Sequence, residues 1–165
     1  MQRSLLALLG GALLFSAGRA RLSKPGSIEG VWQAVEVKVT GPTPRTVTVP
    51  EPRANLTILT AKHYSRVEIH TDAPRPAPSD IAKATADELR AVWGPFIGEA
   101  GTYEITGDNV VTMRPSVAKN PTAMVRGAFI VRAFRLQGDT LWITDQRNQS
   151  GPIAFPATAK LVRVE

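Results

Sequence analysis

At 165 residues, with 43% hydrophobic and 21% charged residues, the chain has the size and balance of one globular domain, and two domains are not expected at this length. Glycine and proline number 13 each, a density of chain-breaking residues that argues against a helical bundle and for short strands joined by turns. Cysteine is absent, which excludes disulfides, thiolate metal sites, iron–sulfur clusters and a cysteine nucleophile. The formal charge is +6, yet the arginines are scattered and form no basic run beside stacking aromatics, so a nucleic-acid partner is not expected.

The first twenty residues read as a cleavable secretory signal. Arg3 supplies a positive start, residues 5–15 (LLALLGGALLF) an apolar stretch, and Gly18-Arg19-Ala20 the small residues that a signal peptidase reads. The stretch is well short of the roughly 20 residues that span a bilayer, and no later segment is as uniformly apolar, so no membrane span is expected. No cysteine follows it, which excludes a bacterial lipoprotein anchor. Cleavage removes Arg3 and Arg19 and no acids, taking the charge from +6 to +4. Residues 21–165 are thus expected as one extracytoplasmic domain, periplasmic or secreted.

That domain reads as eight strand-like runs. Residues 31–39 (VWQAVEVKV) alternate with the period of a half-buried strand and end in a turn at Gly41-Pro42. Residues 55–59 and 64–71 follow, separated by a short turn. Residues 103–105 and 110–113 flank Gly107-Asp108-Asn109, and residues 129–136 and 140–144 flank Gly138-Asp139; both are hairpin signals, because glycine and asparagine tolerate positive φ. Residues 157–164 close the series. Between the third and fourth runs, residues 72–100 form a long excursion: Pro74 to Pro78 favours extended chain. Thr85-Ala86-Asp87-Glu88 then fits a capping box that opens one short helix, stopped by Gly94-Pro95. Such an excursion is either a lid over a binding site or a plug on a barrel end. The fold expected is all-β: an eight-stranded antiparallel up-and-down barrel with one short helix in a long loop, which leaves no sheet edge exposed. A two-sheet sandwich is the alternative.

Gly30-Val31-Trp32 opens the first run as G-x-W, and Arg163 stands in the last. The pairing resembles calycin and lipocalin-like barrels, in which a tryptophan closes one end and a late arginine packs on its ring. The segments Thr60-Ala61-Lys62-His63-Tyr64-Ser65-Arg66, Gly101-Thr102-Tyr103-Glu104 and Arg132-Ala133-Phe134-Arg135-Leu136-Gln137-Gly138-Asp139-Thr140-Leu141 resemble the bacterial lipocalin-like domain proteins, a family of unassigned function. The resemblance implies a calycin-type barrel. Relatives by fold bind hydrophobic small molecules and a few act as cyclases, so the fold alone does not fix an activity.

The chemistry-bearing residues are few. His63 and His70 are seven apart and on one strand would point to opposite faces, so a shared metal ion is not expected. No G-x-S-x-G, G-x-G-x-x-G or P-loop occurs, and neither a catalytic triad nor a cofactor is expected. Arg132 shares parity with Ile130, Phe134 and Leu136, so if these face the core the guanidinium does too and needs a partner. Tyr64, Arg66, Glu68 and His70 share one parity, opposite the greasier Val67 and Ile69; they either face water or, with Arg132 and Tyr103, form the polar end of an apolar pocket. The ligand-binding candidates are therefore Arg132, Arg66, Tyr64, Tyr103, Glu68 and His70, and the partner a small hydrophobic or amphipathic molecule. The alternatives are a barrel enzyme using Tyr64, Glu68 or His70 as acid or base, and a structural envelope protein. Arg114 is expected in solvent, Trp142 in core or rim packing, and Lys119-Asn120-Pro121 in a turn.

Overall fold

A computed structural model describes residues 27–49, 54–71 and 73–165; the signal-peptide expectation for residues 1–20 lies outside them. Eight strands close into one antiparallel barrel: β1 (Gly30–Val39), β3 (Asn55–Leu59), β4 (His63–Ile69), β5 (Phe96–Gly107), β6 (Val110–Ala118), β7 (Ile130–Gln137), β8 (Thr140–Asn148) and β10 (Ala157–Arg163). Closure comes from β10, which pairs with β1 on one side and β8 on the other. All eight runs read from the sequence are barrel strands. Two short strands are additional: β2 (Arg45–Thr48) extends the pairing along the second half of β1, and β9 (Gly151–Pro152) pairs with the end of β8. Both are too short and polar to carry an alternation. The fifth strand is also longer than its hydrophobic run, because Gly98, Ala100 and Gly101 continue the ladder with β4 without apolar side chains to mark it.

The hairpins follow their turn residues. Gln137 and Thr140 face each other across Gly138-Asp139, with Gly138 at φ +56°, and Asn109 adopts φ +59° between β5 and β6. In β1 a bulge between Ala34 and Glu36 resets the alternation. Trp32 and Ala34 therefore point inward before it and Val37 after it, although they lie on opposite parities in sequence. The one α-helix, α1 (Ala86–Trp93), starts with the expected capping box: Thr85 accepts from the Glu88 amide, and the Glu88 carboxylate accepts from the Thr85 amide. Its last turn is held by Lys119, whose ammonium donates to the carbonyls of Trp93, Gly94 (3.0 Å) and Phe96 (2.9 Å), a cation at the negative end of the helix.

One end of the barrel is sealed around Trp32, which is fully buried and donates its indole N–H to the Ile28 carbonyl at 2.9 Å. The Arg163 guanidinium lies 4.1 Å from the ring centroid and donates to the Glu29 and Ser27 carbonyls. Gly30 explains the G of G-x-W: at φ +144° a Cβ would sit 2.3 Å from Arg163 Nη1, so a side chain there would displace the arginine from the indole. Leu59, Val111, Leu141 and Leu161 complete the core.

Candidate functional site

Beyond that core the barrel interior turns polar. A pocket of about 130 Å³ opens between the far halves of β1, β4, β8 and β10. Val37, Met113, Ile143, Ala159 and Leu161 form its apolar wall, and Tyr64, Arg66, Glu68, His70, Arg132 and Asp145 its polar one. Five of the six candidate residues thus meet at one pocket. Tyr103 stands elsewhere: its hydroxyl donates to the Thr60 carbonyl at 2.5 Å, beside the turn that joins β3 to β4.

β4 presents its polar parity to the interior. Tyr64 is 3% exposed whereas Val67, on the greasier parity, is 43% exposed. The ordinary rule that the apolar face of a strand is the buried one fails here because the register is fixed by pairing: Tyr64 stands opposite the buried Leu59, and Arg66 opposite the buried Thr57. Inward charge is tolerated because acids from other strands meet it. Arg132, 7% exposed, donates from Nε to Asp145 Oδ1 at 2.7 Å and from Nη1 to the Met113 thioether at 2.9 Å. Arg66 Nε approaches Glu68 Oε1 at 2.8 Å. Glu99 Oε1 lies between the two guanidiniums, 3.9 Å from Arg66 Nη1 and 4.0 Å from Arg132 Nη1.

Hydrogen bonding in this cluster is incomplete. Tyr64 Oη and Glu99 Oε1 are buried and make no hydrogen bond within the protein, while the buried Arg66 Nε has only its ion-pair contact with Glu68. An orphaned buried polar atom costs about 1–3 kcal/mol, so two together mark a place where stability has not set the design. The electrostatics agree with this picture. Burial, reinforced by the Glu99 carboxylate, pushes the Tyr64 phenol far above its ordinary value and keeps it a neutral donor and acceptor. Burial alone would raise Glu68, but the hydrogen bond from His70 (2.5 Å) and the Arg66 charge outweigh it and hold the carboxyl below the usual range.

A second cavity, about 180 Å³, lies where β6 and β7 part. Their pairing runs only from Val110–Met113 to Ala133–Ile130, after which β6 continues to Ala118 against β5 alone. Phe129, Ile130, Thr122 and Gln149 line it, and Glu99 and Arg132 form its inner wall. Arg132 therefore borders both cavities. The excursion before β5 contributes to neither: no residue of 73–95 lines either of these two cavities, and α1 has no buried residue. Arg114 is exposed and paired with Glu104 at 2.5 Å, and Trp142 is packed at the rim by Arg135, whose guanidinium lies 3.5 Å from the ring centroid. Among the described residues no group of three or more histidines and acids is placed to hold a metal ion, and no helix is long and apolar enough to cross a membrane.

Sequence reasoning missed Glu99 and Asp145. Glu99 falls within the segment read as an excursion, and Asp145 one residue past the expected end of its run. The signal for Asp145 was its parity, shared with the inward Leu141 and Ile143, together with the need of an inward Arg132 for an acid.

The fold and the cluster define a closed eight-stranded antiparallel barrel of calycin-compatible form, with a charged pocket set into one end of an otherwise apolar interior. No protein-family model matches the chain, and none of the curated proteins does.

Proposed function

We propose that the chain is an exported small-molecule binding protein of the lipocalin-like kind, whose barrel holds one small amphipathic ligand. Its apolar part lies against Ile143 and Ala159, and its polar head meets Tyr64, Arg66 and Arg132. The observation that carries this reading is the Tyr64 hydroxyl, buried at the pocket and without a hydrogen-bond partner in the protein. Export rests on the pattern of residues 1–20. The size of the pocket sets the scale of the ligand: at about 130 Å³ it is somewhat smaller than the roughly 150 Å³ cavity that admits one benzene ring, so it encloses no more than one ring and the rest of the ligand stands at its open mouth.

The test is saturation-transfer NMR with toluene as a probe lacking any head group. Transfer to the probe is expected with the protein as it stands and lost in Ala159→Phe, which fills the apolar wall, provided thermal melting shows the variant folded. Absence of transfer with the unmodified protein overturns the binding reading. A second reading, a barrel enzyme, is favoured by the carboxylate–imidazole pair of Glu68 and His70 at 2.5 Å. It requires a substrate whose turnover, but not whose affinity, is lost in His70→Ala.

A further inference from the structure

Glu99 has no part in the pocket beside Tyr64: it lines only the second cavity, where β6 and β7 part. Three carboxylates and two guanidiniums meet in this part of the barrel, and two of the acids are matched. Asp145 accepts from Arg132 Nε at 2.7 Å, and Glu68 faces Arg66 at 2.8 Å and His70 at 2.5 Å. Glu99 is left over. Its buried Oε1 accepts no hydrogen bond, and the Nη1 atoms of Arg66 and Arg132 stand 3.9 and 4.0 Å away, beyond hydrogen-bond reach. We infer that the second cavity is a separate site for a small organic cation, a primary ammonium on a body of about one ring, whose charge pairs with Glu99.

A cationic donor is what this wall lacks. A largely buried carboxylate without a hydrogen-bonded cation is costly, and neither guanidinium can turn to Glu99 without leaving the acid it already faces. An ammonium gives each of the three carboxylates a cation of its own. It also finds a second acceptor on the cavity wall: the Thr122 hydroxyl donates to Asn120 Oδ1 at 2.8 Å, which leaves its oxygen free to accept. A carboxylate would bring a fourth anion beside Glu99, and an alcohol would leave the Glu99 charge unmatched. Ala128, Phe129 and Ile130 supply an apolar wall for the body of the ligand. The Arg147 guanidinium lies 5.2 Å from the Phe129 ring centroid, so that ring already has a cation and the anchor for the ammonium is the carboxylate. At about 180 Å³, against the roughly 150 Å³ that holds benzene, the cavity has room for one ring and a one-carbon linker.

The experiment titrates three molecules of one ring and one carbon, benzylamine, benzyl alcohol and benzoate, by saturation-transfer NMR at neutral pH. Benzylamine is expected to bind at concentrations at least about tenfold lower than the other two, the worth of one charge-assisted hydrogen bond. Its affinity should fall to that of benzyl alcohol in Glu99→Gln, while benzyl alcohol itself is unmoved. It should also be lost in Ala128→Phe, which fills the second cavity, and retained in Ala159→Phe, which fills the first; thermal melting identifies the folded variants, and the Ala128 and Ala159 pair decides the matter if Glu99→Gln does not fold. Benzylamine binding no tighter than benzyl alcohol overturns the inference. So does undiminished binding in Glu99→Gln, which would place the amine on surface acids, and so does loss in Ala159→Phe with retention in Ala128→Phe, which would place it in the first pocket. The binding reading of the first pocket stands or falls separately, on toluene.

Discussion

The two ends of this barrel are built from the same strands and to opposite standards. Around Trp32 every polar group named above has a partner: the indole N–H reaches Ile28, Arg163 reaches two carbonyls while covering the ring, and the Tyr103 hydroxyl reaches Thr60. Around Tyr64 the interior is more polar yet less satisfied, with the buried Tyr64 Oη and Glu99 Oε1 making no hydrogen bond in the protein. Satisfied polarity at one end stabilises the fold; unsatisfied polarity at the other end costs stability, and the proposed binding function rests on it.

Mutations at the two ends should therefore differ in kind. The largest effect is expected for Trp32→Ala, which removes the biggest fully buried side chain and the platform for Arg163. A loss of about 3–5 kcal/mol in urea unfolding is expected, and a loss under 1 kcal/mol would show that the sealed end does not anchor the barrel. Next is Arg132→Met, which keeps the apolar bulk but strands Asp145 and removes one of the two cations near Glu99. The expected cost is about 2 kcal/mol. Glu99→Gln in the same chain should recover part of it, because the acid then needs no cation; strict additivity of the two changes would show that Glu99 and Arg132 are not coupled.

The sharpest contrast comes from two tyrosines under the same substitution. Tyr103→Phe breaks a hydrogen bond to a carbonyl and should cost about 1 kcal/mol. Tyr64→Phe removes a buried hydroxyl that bonds to nothing in the protein, so stability should stay level or rise by about 1 kcal/mol. Parallel losses in thermal melts of the two variants would erase the distinction between the ends.

How far this was legible in the sequence follows the same division. The barrel was readable because its strands carry period-two alternation and its hairpins their turn residues, Asn109 and Gly138 adopting positive φ. The sealed end was readable from Gly30-Val31-Trp32 and Arg163. Arg132 was readable as inward from the parity of Ile130, Phe134 and Leu136. The face of β4 was not. Val67 and Ile69 are its greasier residues, and what turns them outward is register with Leu59 and Thr57 and acids supplied by β5 and β8, none of which β4 itself encodes. Likewise the bulge in β1 moves Val37 to the pocket against its own alternation. A strand that breaks the hydrophobic pattern betrays a site only when its neighbours are known.

The smallest expected effect is a pH dependence seated at the polar end. Although burial acts to raise Glu68, the His70 hydrogen bond and the Arg66 charge bring its folded-state pKa below that of the unfolded chain. The unfolded state therefore binds the proton more readily, and stability rises with pH across the window between the two values. The contribution of Glu68 is fully present above the ordinary glutamate range and is lost as pH falls through the lower, folded value. In Glu68→Gln the acid limb of the stability profile should flatten below about pH 4.5 while the neutral limb keeps its shape. An acid limb of the same steepness in the variant would mean that the carboxyl is not held ionised by His70 and Arg66, and the polar end would lose the Arg66–Glu68 ion pair as an organising element.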